Sequence, residues 1–136
     1  MVTFHYSSIV TLTGVVKRPC AQLRLLHGGR YCRRIMLIDS GADVSVITKQ
    51  TGIRLGLTTS PTDQMKSLGG AGGRIPVIYR RVEMQIGPHS FQAEVGCIQN
   101  NQPLLILGRR DVFNSFSIEF REFENLVIFR HISELS

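Results

Sequence analysis

The sequence predicts an all-β fold, and two observations support this prediction. Apolar residues rarely recur at the three- and four-residue spacing of an amphipathic helix. Short runs rich in β-branched and aromatic residues recur instead, separated by glycine, proline or polar turns. With 136 residues and 43% hydrophobic content, the chain is long enough for one domain with a real core and too short for two ordinary ones.

Nine strands are predicted after the first twenty residues, and Gly28-Gly29 supplies the turn of the first hairpin. The predicted strands are Ala21–Leu26, Cys32–Ile38, Val44–Ile47, Gln64–Leu68, Ile75–Ile86, Phe91–Ile98, Leu104–Leu107, Ser117–Phe120 and Leu126–Phe129. Two further segments are predicted as short helices, Thr48–Leu55 and Arg110–Ser115.

The chain divides into an N-terminal segment, residues 1–19, and one domain over residues 20–136. The segment has no clear motif, and both a strand at a dimer edge and a disordered arm remain open for it. No apolar run approaches the roughly 18–20 residues that span a bilayer, and no secretory signal is visible. Cys20, Cys32 and Cys97 fit free thiols of a reducing compartment. A cytoplasmic protein without membrane contact is therefore expected.

The net charge of +6 raises the question of nucleic-acid binding. Much of the excess comes from adjacent pairs, whose side chains point to opposite faces of a strand and so build no single stripe. Aromatic residues are not interleaved with these pairs as a stacking platform requires. Nucleic acid is therefore not expected as the main partner. The pairs are Lys17-Arg18, Arg33-Arg34, Arg80-Arg81 and Arg109-Arg110.

A glycine-rich stretch, Gly69 to Gly73, separates two predicted strands. It lacks the G-K-[ST] and G-x-G-x-x-G patterns of phosphate-binding loops, and no helix pattern follows it. Glycine supplies positive φ at little steric cost, which suits a hairpin tip. The stretch is therefore interpreted as a hairpin that could fold over a substrate.

The stretch LIDSGADVSVI, residues 37–47, places Asp39 on a tight turn between two apolar runs. Ser40 offers a hydroxyl that donates and accepts hydrogen bonds. Gly41 permits a sharp turn and lets its N–H approach a carboxylate, and the small Ala42 permits close packing of another backbone. On its own, D-S-G is also typical of an ordinary turn, so the stretch does not identify a function.

A second motif, Leu104 to Arg109, has four large apolar residues followed by Gly108 and arginine. Together with D-S-G-A and the glycine-rich hairpin between them, the order resembles the retropepsin-like aspartic proteases from about residue 20 onward. The tail, LGRRDVFNSFSIEF followed by NLVIF, is more similar to bacterial members of this family than to viral ones.

The resemblance implies a closed, barrel-like single lobe with a flap hairpin, one short C-terminal helix and a two-fold homodimer. It also implies that Asp39, Ser40 and Gly41 form the catalytic motif. Aspartic proteases use two carboxylates that share one proton. No second D-[ST]-G occurs in the chain, so the active site is expected to combine Asp39 from each of two copies.

The resemblance further assigns supporting roles to residues around this motif. Ser40 would form a hydrogen bond across the dimer interface. Asp43 and Arg109 would form a partly buried ion pair near the dimer contact, and two separate solvated charges are the alternative. Ile106 and Leu107 would pack beneath the catalytic turn as structural residues.

The flap would contact substrate through backbone amides of Gly70, Ala71 and Gly72. Val46 and Ile78 are the expected apolar walls of substrate subsites. Both expectations follow from the family's architecture.

The sequence therefore predicts an aspartic endopeptidase that cleaves extended polypeptide at apolar sites. A retropepsin fold used for dimerisation or binding, with weak or no proteolysis, is the alternative. A basic nucleic-acid-associated module is a third hypothesis. The four histidines form no metal-binding pattern, and neither a metal nor another cofactor is expected.

Overall fold

The computed structural model describes residues 1–69 and 74–135. Strands dominate this part of the chain, with one α-helix and two 3₁₀ helices, Glu122–Glu124 and Ile132–Glu134. In chain order, the elements are β1 (Val2–His5), β2 (Ser7–Thr11), β3 (Gly14–Arg18), β4 (Cys20–His27), β5 (Arg30–Ile38), β6 (Ser45–Ile47), α1 (Lys49–Arg54), β7 (Lys66–Leu68), β8 (Ile75–Ile86), β9 (His89–Ile98), β10 (Ile106–Leu107), β11 (Phe116–Arg121) and β12 (Leu126–His131).

Six strands form a closed barrel in the order β4-β5-β10-β6-β9-β8. The ring closes where β8 pairs with β4, with Leu25 opposite Met84. The short strand β10 lies parallel to β5 and antiparallel to β6, and β7 extends the sheet beyond β8. Closure removes the unpaired edges that an open sheet would expose.

The barrel core follows from the two-residue period of its strands. Along β8, Val82, Met84 and Ile86 are buried, whereas the residues between them are partly exposed. Leu23 and Leu25 of β4 are buried in the same way. Burying each such side chain contributes about 1.5–3 kcal/mol, so the alternating pattern selects which face of each strand turns inward.

A smaller sheet, β1-β12-β11, packs its aromatic residues against the barrel core. The rings of Phe4 and Phe129 meet edge to face at 5.3 Å, and those of Phe116 and Phe129 at 5.6 Å. Strand β1 therefore pairs with β12 of its own chain, whereas β2 and β3 pair with each other as a separate hairpin.

All nine predicted strands overlap observed strands, so the all-β prediction is confirmed. The helix predicted at Thr48–Leu55 forms as α1, capped by the Thr48 side chain, which accepts a hydrogen bond from the Thr51 N–H. None of the helices in the described ranges has the length and apolar character needed to cross a bilayer.

The helix predicted at Arg110–Ser115 is wrong, and so is the short C-terminal helix based on it. This segment forms consecutive turns, because Asp111 adopts the left-handed conformation with φ 67°. Its carboxylate accepts a hydrogen bond from the Glu94 N–H at 2.9 Å, which ties the turns to β9.

The three cysteines form no disulfide. Cys32 and Cys97 are buried, and burial raises the pKa of the Cys97 thiol to about 11. The sequence-based expectation of unpaired thiols is confirmed.

Candidate active site

Asp39 follows directly after β5 and begins the D-S-G turn. Its N–H donates to the carbonyl of Leu107 at 3.0 Å, so β10 anchors the start of the turn. The N–H of Gly41 donates to Asp39 Oδ1 at 2.9 Å, and the N–H of Ala42 donates to the Asp39 carbonyl at 3.2 Å. The turn thus holds the carboxylate through one of its own backbone amides.

Gly108 lies immediately beneath the turn and has room for no side chain. A Cβ atom there would lie 2.5 Å from the backbone carbon and oxygen of Val44 and 2.9 Å from the Ala42 oxygen. Its N–H donates to the buried hydroxyl of Ser45 at 3.0 Å, and the N–H of Arg109 donates to the Ala42 carbonyl at 2.9 Å. These hydrogen bonds join the segment after β10, residues 108–109, to the segment after the turn, residues 42–45.

Ile106 and Leu107, the two residues of β10, differ in how deeply their side chains are buried. Leu107 is fully buried, as expected of a residue that packs beneath the catalytic turn. Ile106 is partly exposed and lines the cavity beside Asp39. Both residues were expected to be structural, and the side chain of Ile106 faces the cavity beside Asp39.

The predicted ion pair between Asp43 and Arg109 does not form within the described chain. The Arg109 guanidinium instead donates to the Ser40 carbonyl at 3.3 Å and lies over the Phe113 ring, 5.0 Å from its centroid. Asp43 is exposed and lines the cavity next to Asp39. Arg109 therefore braces the D-S-G turn through its backbone.

A cavity of about 680 Å³ opens beside Asp39. Its walls are mainly apolar, with a few polar groups, which is the usual character of a ligand site. The lining residues are Asp39, Gly41, Ala42, Asp43, Val44, Val46, Ser67, Leu68, Gly69, Ile75, Gln102, Leu104 and Ile106.

Val46 lines the cavity as predicted, whereas Ile78 does not and is buried in the barrel core. Leu68, Ile75 and Leu104 were not predicted as wall residues. They flank the two motifs that the sequence did identify, since Leu68 and Ile75 border the glycine-rich stretch and Leu104 begins the L-L-I-L-G run. Their position next to these motifs in the sequence was the signal that could have identified them as cavity-lining residues.

The glycine-rich stretch connects two paired strands, because Leu68 of β7 is opposite Ile75 of β8. Gly69 lines the cavity beside these two residues. Gly70, Ala71 and Gly72, predicted as the flap amides, lie outside the described residues. Their contact with substrate therefore stays a prediction.

Two other aspartates are engaged away from the cavity. Asp63 accepts a 2.6 Å hydrogen bond from Arg80, which also donates to the Thr58 carbonyl at 2.9 Å. This guanidinium, together with the Ser60 N–H, holds the pKa of Asp63 below its usual value. Asp111 bonds to β9. Neither residue lines the Asp39 cavity.

A closed barrel whose D-S-G turn opens onto an apolar cleft defines the class of retropepsin-like aspartic proteases. A family model described as aspartyl protease matches residues 26–110, which is more than half of the chain. The chain belongs to this family, and the resemblance predicted from its motifs is confirmed.

A solved structure supports the same assignment. The chain is similar to EIAV protease complexed with the inhibitor HBY-793, at 25% sequence identity and a TM-score of 0.54. The match covers 68% of this chain and 83% of the EIAV protease chain. No curated protein matches the sequence significantly.

Proposed function

We propose that the protein is a homodimeric aspartic endopeptidase. The observation that carries this proposal is the Asp39 carboxylate, held 2.9 Å from the Gly41 N–H at the wall of an apolar cleft, in a chain of the aspartyl protease family. The alternative is a dimerisation or binding module without proteolysis, because a fold alone does not determine activity.

The proposed mechanism needs two carboxylates, and one chain supplies a single D-S-G motif. Asp39 and the partner's Asp39 would meet on the two-fold axis and share one proton, because two ionised carboxylates at such close range repel each other. The ionised carboxylate takes a proton from water, whose oxygen attacks the peptide carbonyl. The protonated carboxyl donates to the carbonyl oxygen as negative charge develops there.

Collapse of this tetrahedral intermediate completes the reaction. The proton accepted from water passes to the leaving nitrogen, the carbon–nitrogen bond breaks, and a new carboxylic acid and a new amine form. The dyad then holds one proton again and can bind the next water. Because the dyad needs one ionised and one protonated carboxyl, we expect activity to favour mildly acidic pH.

The cleft supports an extended polypeptide with apolar side chains as the substrate. Val46, Leu104 and Ile106 form an apolar wall, whereas Ser67 and Gln102 provide polar groups for a peptide backbone. Closure of the glycine-rich hairpin over the bound chain would exclude water from the reacting bond.

The remaining sequence-based expectations belong to the same proposal. We take residues 20–136 as the protease domain and residues 1–19 as an N-terminal segment, whose strand β1 pairs with β12 of the same chain. We expect a cytoplasmic enzyme of the bacterial type that acts without metal or cofactor and does not require nucleic acid.

The deciding experiment incubates the protein with casein, with and without a pepstatin-type inhibitor. We expect the parent to cleave casein, the inhibitor to block cleavage, and Asp39→Asn to abolish it while circular dichroism and sedimentation stay unchanged. Glu124→Gln makes the same chemical change at an exposed carboxylate outside the cleft and should cleave like the parent. Cleavage by Asp39→Asn at the parental rate would overturn the mechanism.

A further inference from the structure

The β2–β3 hairpin, residues 7–18, is exposed along almost its whole length. Its residues are exposed except for Thr11, which is half-buried. Val10 and Val15 are 82% and 66% exposed, and the side chain of Leu12 at the tip is fully exposed. Exposed apolar residues concentrated in one element mark an interaction surface.

Both faces of this hairpin are apolar. Ile9 is opposite Val16, and Val10 is opposite Val15. Residues directly opposite each other share a face of the hairpin, and successive residues alternate between the faces. The Ile9–Val16 pair therefore lies on one face and the Val10–Val15 pair on the other. An isolated two-stranded hairpin is marginally stable in water, so this one needs a partner that covers it.

The hairpin leaves the barrel at the end that carries Asp39. Pro19, which follows β3, accepts a 2.9 Å hydrogen bond from the N–H of Ile38, the residue before Asp39. Cys20 is then paired with Leu37. A two-fold axis through the two Asp39 residues therefore passes close to the base of each hairpin.

The two strands of the hairpin differ in charge. Strand β3 carries Lys17 and Arg18, and Lys17 reaches back to the Glu122 carbonyl at 3.4 Å. Strand β2, with the sequence SSIVT, has no charged residue and no proline. In the described chain β2 pairs with β3 alone, so its other edge is open. Proteins usually protect such an edge with charge, proline or a bulge.

We propose that this hairpin is a dimerisation arm whose open β2 edge pairs antiparallel with β2 of a second copy. Antiparallel pairing of one strand with its own copy satisfies two-fold symmetry, because each residue contacts the same surface of the partner. The pairing yields a four-stranded sheet in the order β3-β2 followed by the partner's β2-β3. It deepens the proposed function, since the position of the axis rests on the Asp39 dyad.

The size of the contact supports a second copy as the occupant. A specific interface buries about 800 Å² on each partner and involves roughly 20–30 residues a side. The Asp39–Asp43 turn is far smaller than this. Residues 7–18 add exposed apolar side chains on both faces of a hairpin whose base lies beside the turn, so they enlarge the surface that a second copy could cover.

Sedimentation equilibrium of Val10→Lys tests the arm, in the Asp39→Asn background so that cleavage does not interfere. Two lysines brought together at an apolar edge should raise the dimer Kd about tenfold or more. Ile53→Lys is the matched control, since Ile53 is equally apolar and 63% exposed on α1. We expect its dimer Kd to equal the parental value.

Cross-linking tests the strand pairing directly. Single cysteines replace Ser8, Ile9 or Val10 in a Cys20→Ser background, and mild oxidation should link two chains through at least one of them. A parent that stays monomeric at high concentration, a Val10→Lys variant that dimerises like the parent, or failure of all three cysteines would each overturn the proposal. A Val10→Lys variant with intact dimers but weaker binding to casein or to anionic vesicles would also overturn it, by assigning the hairpin to substrate or to lipid.

These readouts do not depend on catalysis. If the parent dimerises through the hairpin but cleaves no better than Asp39→Asn, the protease proposal fails and the arm stands. If the parent cleaves casein and Val10→Lys leaves the dimer unchanged, the arm fails and the protease proposal stands.

Discussion

The buried hydroxyl of Ser45 accepts a 3.0 Å hydrogen bond from the N–H of Gly108. This bond joins the start of β6 to the residue after β10, on the side of the barrel where the D-S-G turn lies. Asp39 donates its own N–H to Leu107, one residue earlier. The position of the candidate catalytic carboxylate thus depends on a hydroxyl and a glycine that lie outside the D-S-G motif.

Ser45→Ala should destabilise the protein by about 1–3 kcal/mol, because the Gly108 N–H would remain buried without an acceptor. Urea denaturation followed by circular dichroism measures the change in the free energy of unfolding. Ser117→Ala, at an exposed position of β11, is the control and should change stability little. Equal stability of both variants would show that the hydroxyl is not needed.

Gly108→Ala should be at least as damaging, since the added Cβ would lie 2.5 Å from the Val44 backbone. We expect a loss of about 1–3 kcal/mol from overpacking, together with reduced cleavage as the turn shifts. Gly52→Ala is the contrasting variant. Gly52 lies in α1, and an added Cβ would be 4.0 Å from its nearest neighbour, the Cβ of Cys97, so alanine should stabilise the helix by up to about 1 kcal/mol. Differential scanning calorimetry should therefore give a lower melting temperature for Gly108→Ala and a higher one for Gly52→Ala.

The pair of Asp63 and Arg80 should make stability depend on acid pH. The pKa of Asp63 is lower in the folded protein than its ordinary value of about 3.9. The pair's contribution is therefore complete above about pH 4 and is lost as pH falls through the folded pKa. Measured in the Asp39→Asn background between about pH 6 and pH 3, stability should fall less steeply for Asp63→Asn. Parallel pH profiles would contradict this expectation.

Leu104→Ala should weaken cleavage of peptides with large apolar side chains. Losing part of one apolar subsite wall costs about 1–3 kcal/mol of transition-state binding, which lowers kcat/KM by roughly 5- to 150-fold. Leu135→Ala, at an exposed position outside the cavity, should behave like the parent in the same peptide assay. A selective effect on apolar peptides, with polar peptides unchanged, would identify the wall.

The barrel strands and α1 could be predicted because their burial follows a regular period. The β2–β3 hairpin could not, since Ile9-Val10 and Val15-Val16 place apolar residues on both faces and leave no alternation to detect. The turns at 110–115 were missed because the left-handed conformation of Asp111 depends on its bond to β9, a contact between distant parts of the chain.

The site was predictable only in part, for a similar reason. Asp39 and Gly108 belong to local motifs, and a single stretch of sequence contains each of them. The cavity wall instead combines Val46, Leu68, Ile75 and Leu104 from four separate segments. Strand pairing brings these segments together, and no local pattern encodes it. The same holds for Ile106, whose exposure depends on which side of β10 faces the cavity.

The parallel pairing of β10 with β5 has a consequence for the timing of synthesis. A ribosome makes Asp39 well before Leu107 and Gly108, so the D-S-G turn emerges without its anchors. The turn acquires its final geometry only after β10 has been translated and inserted between β5 and β6. The candidate site is thus completed only once the chain has been made past Gly108.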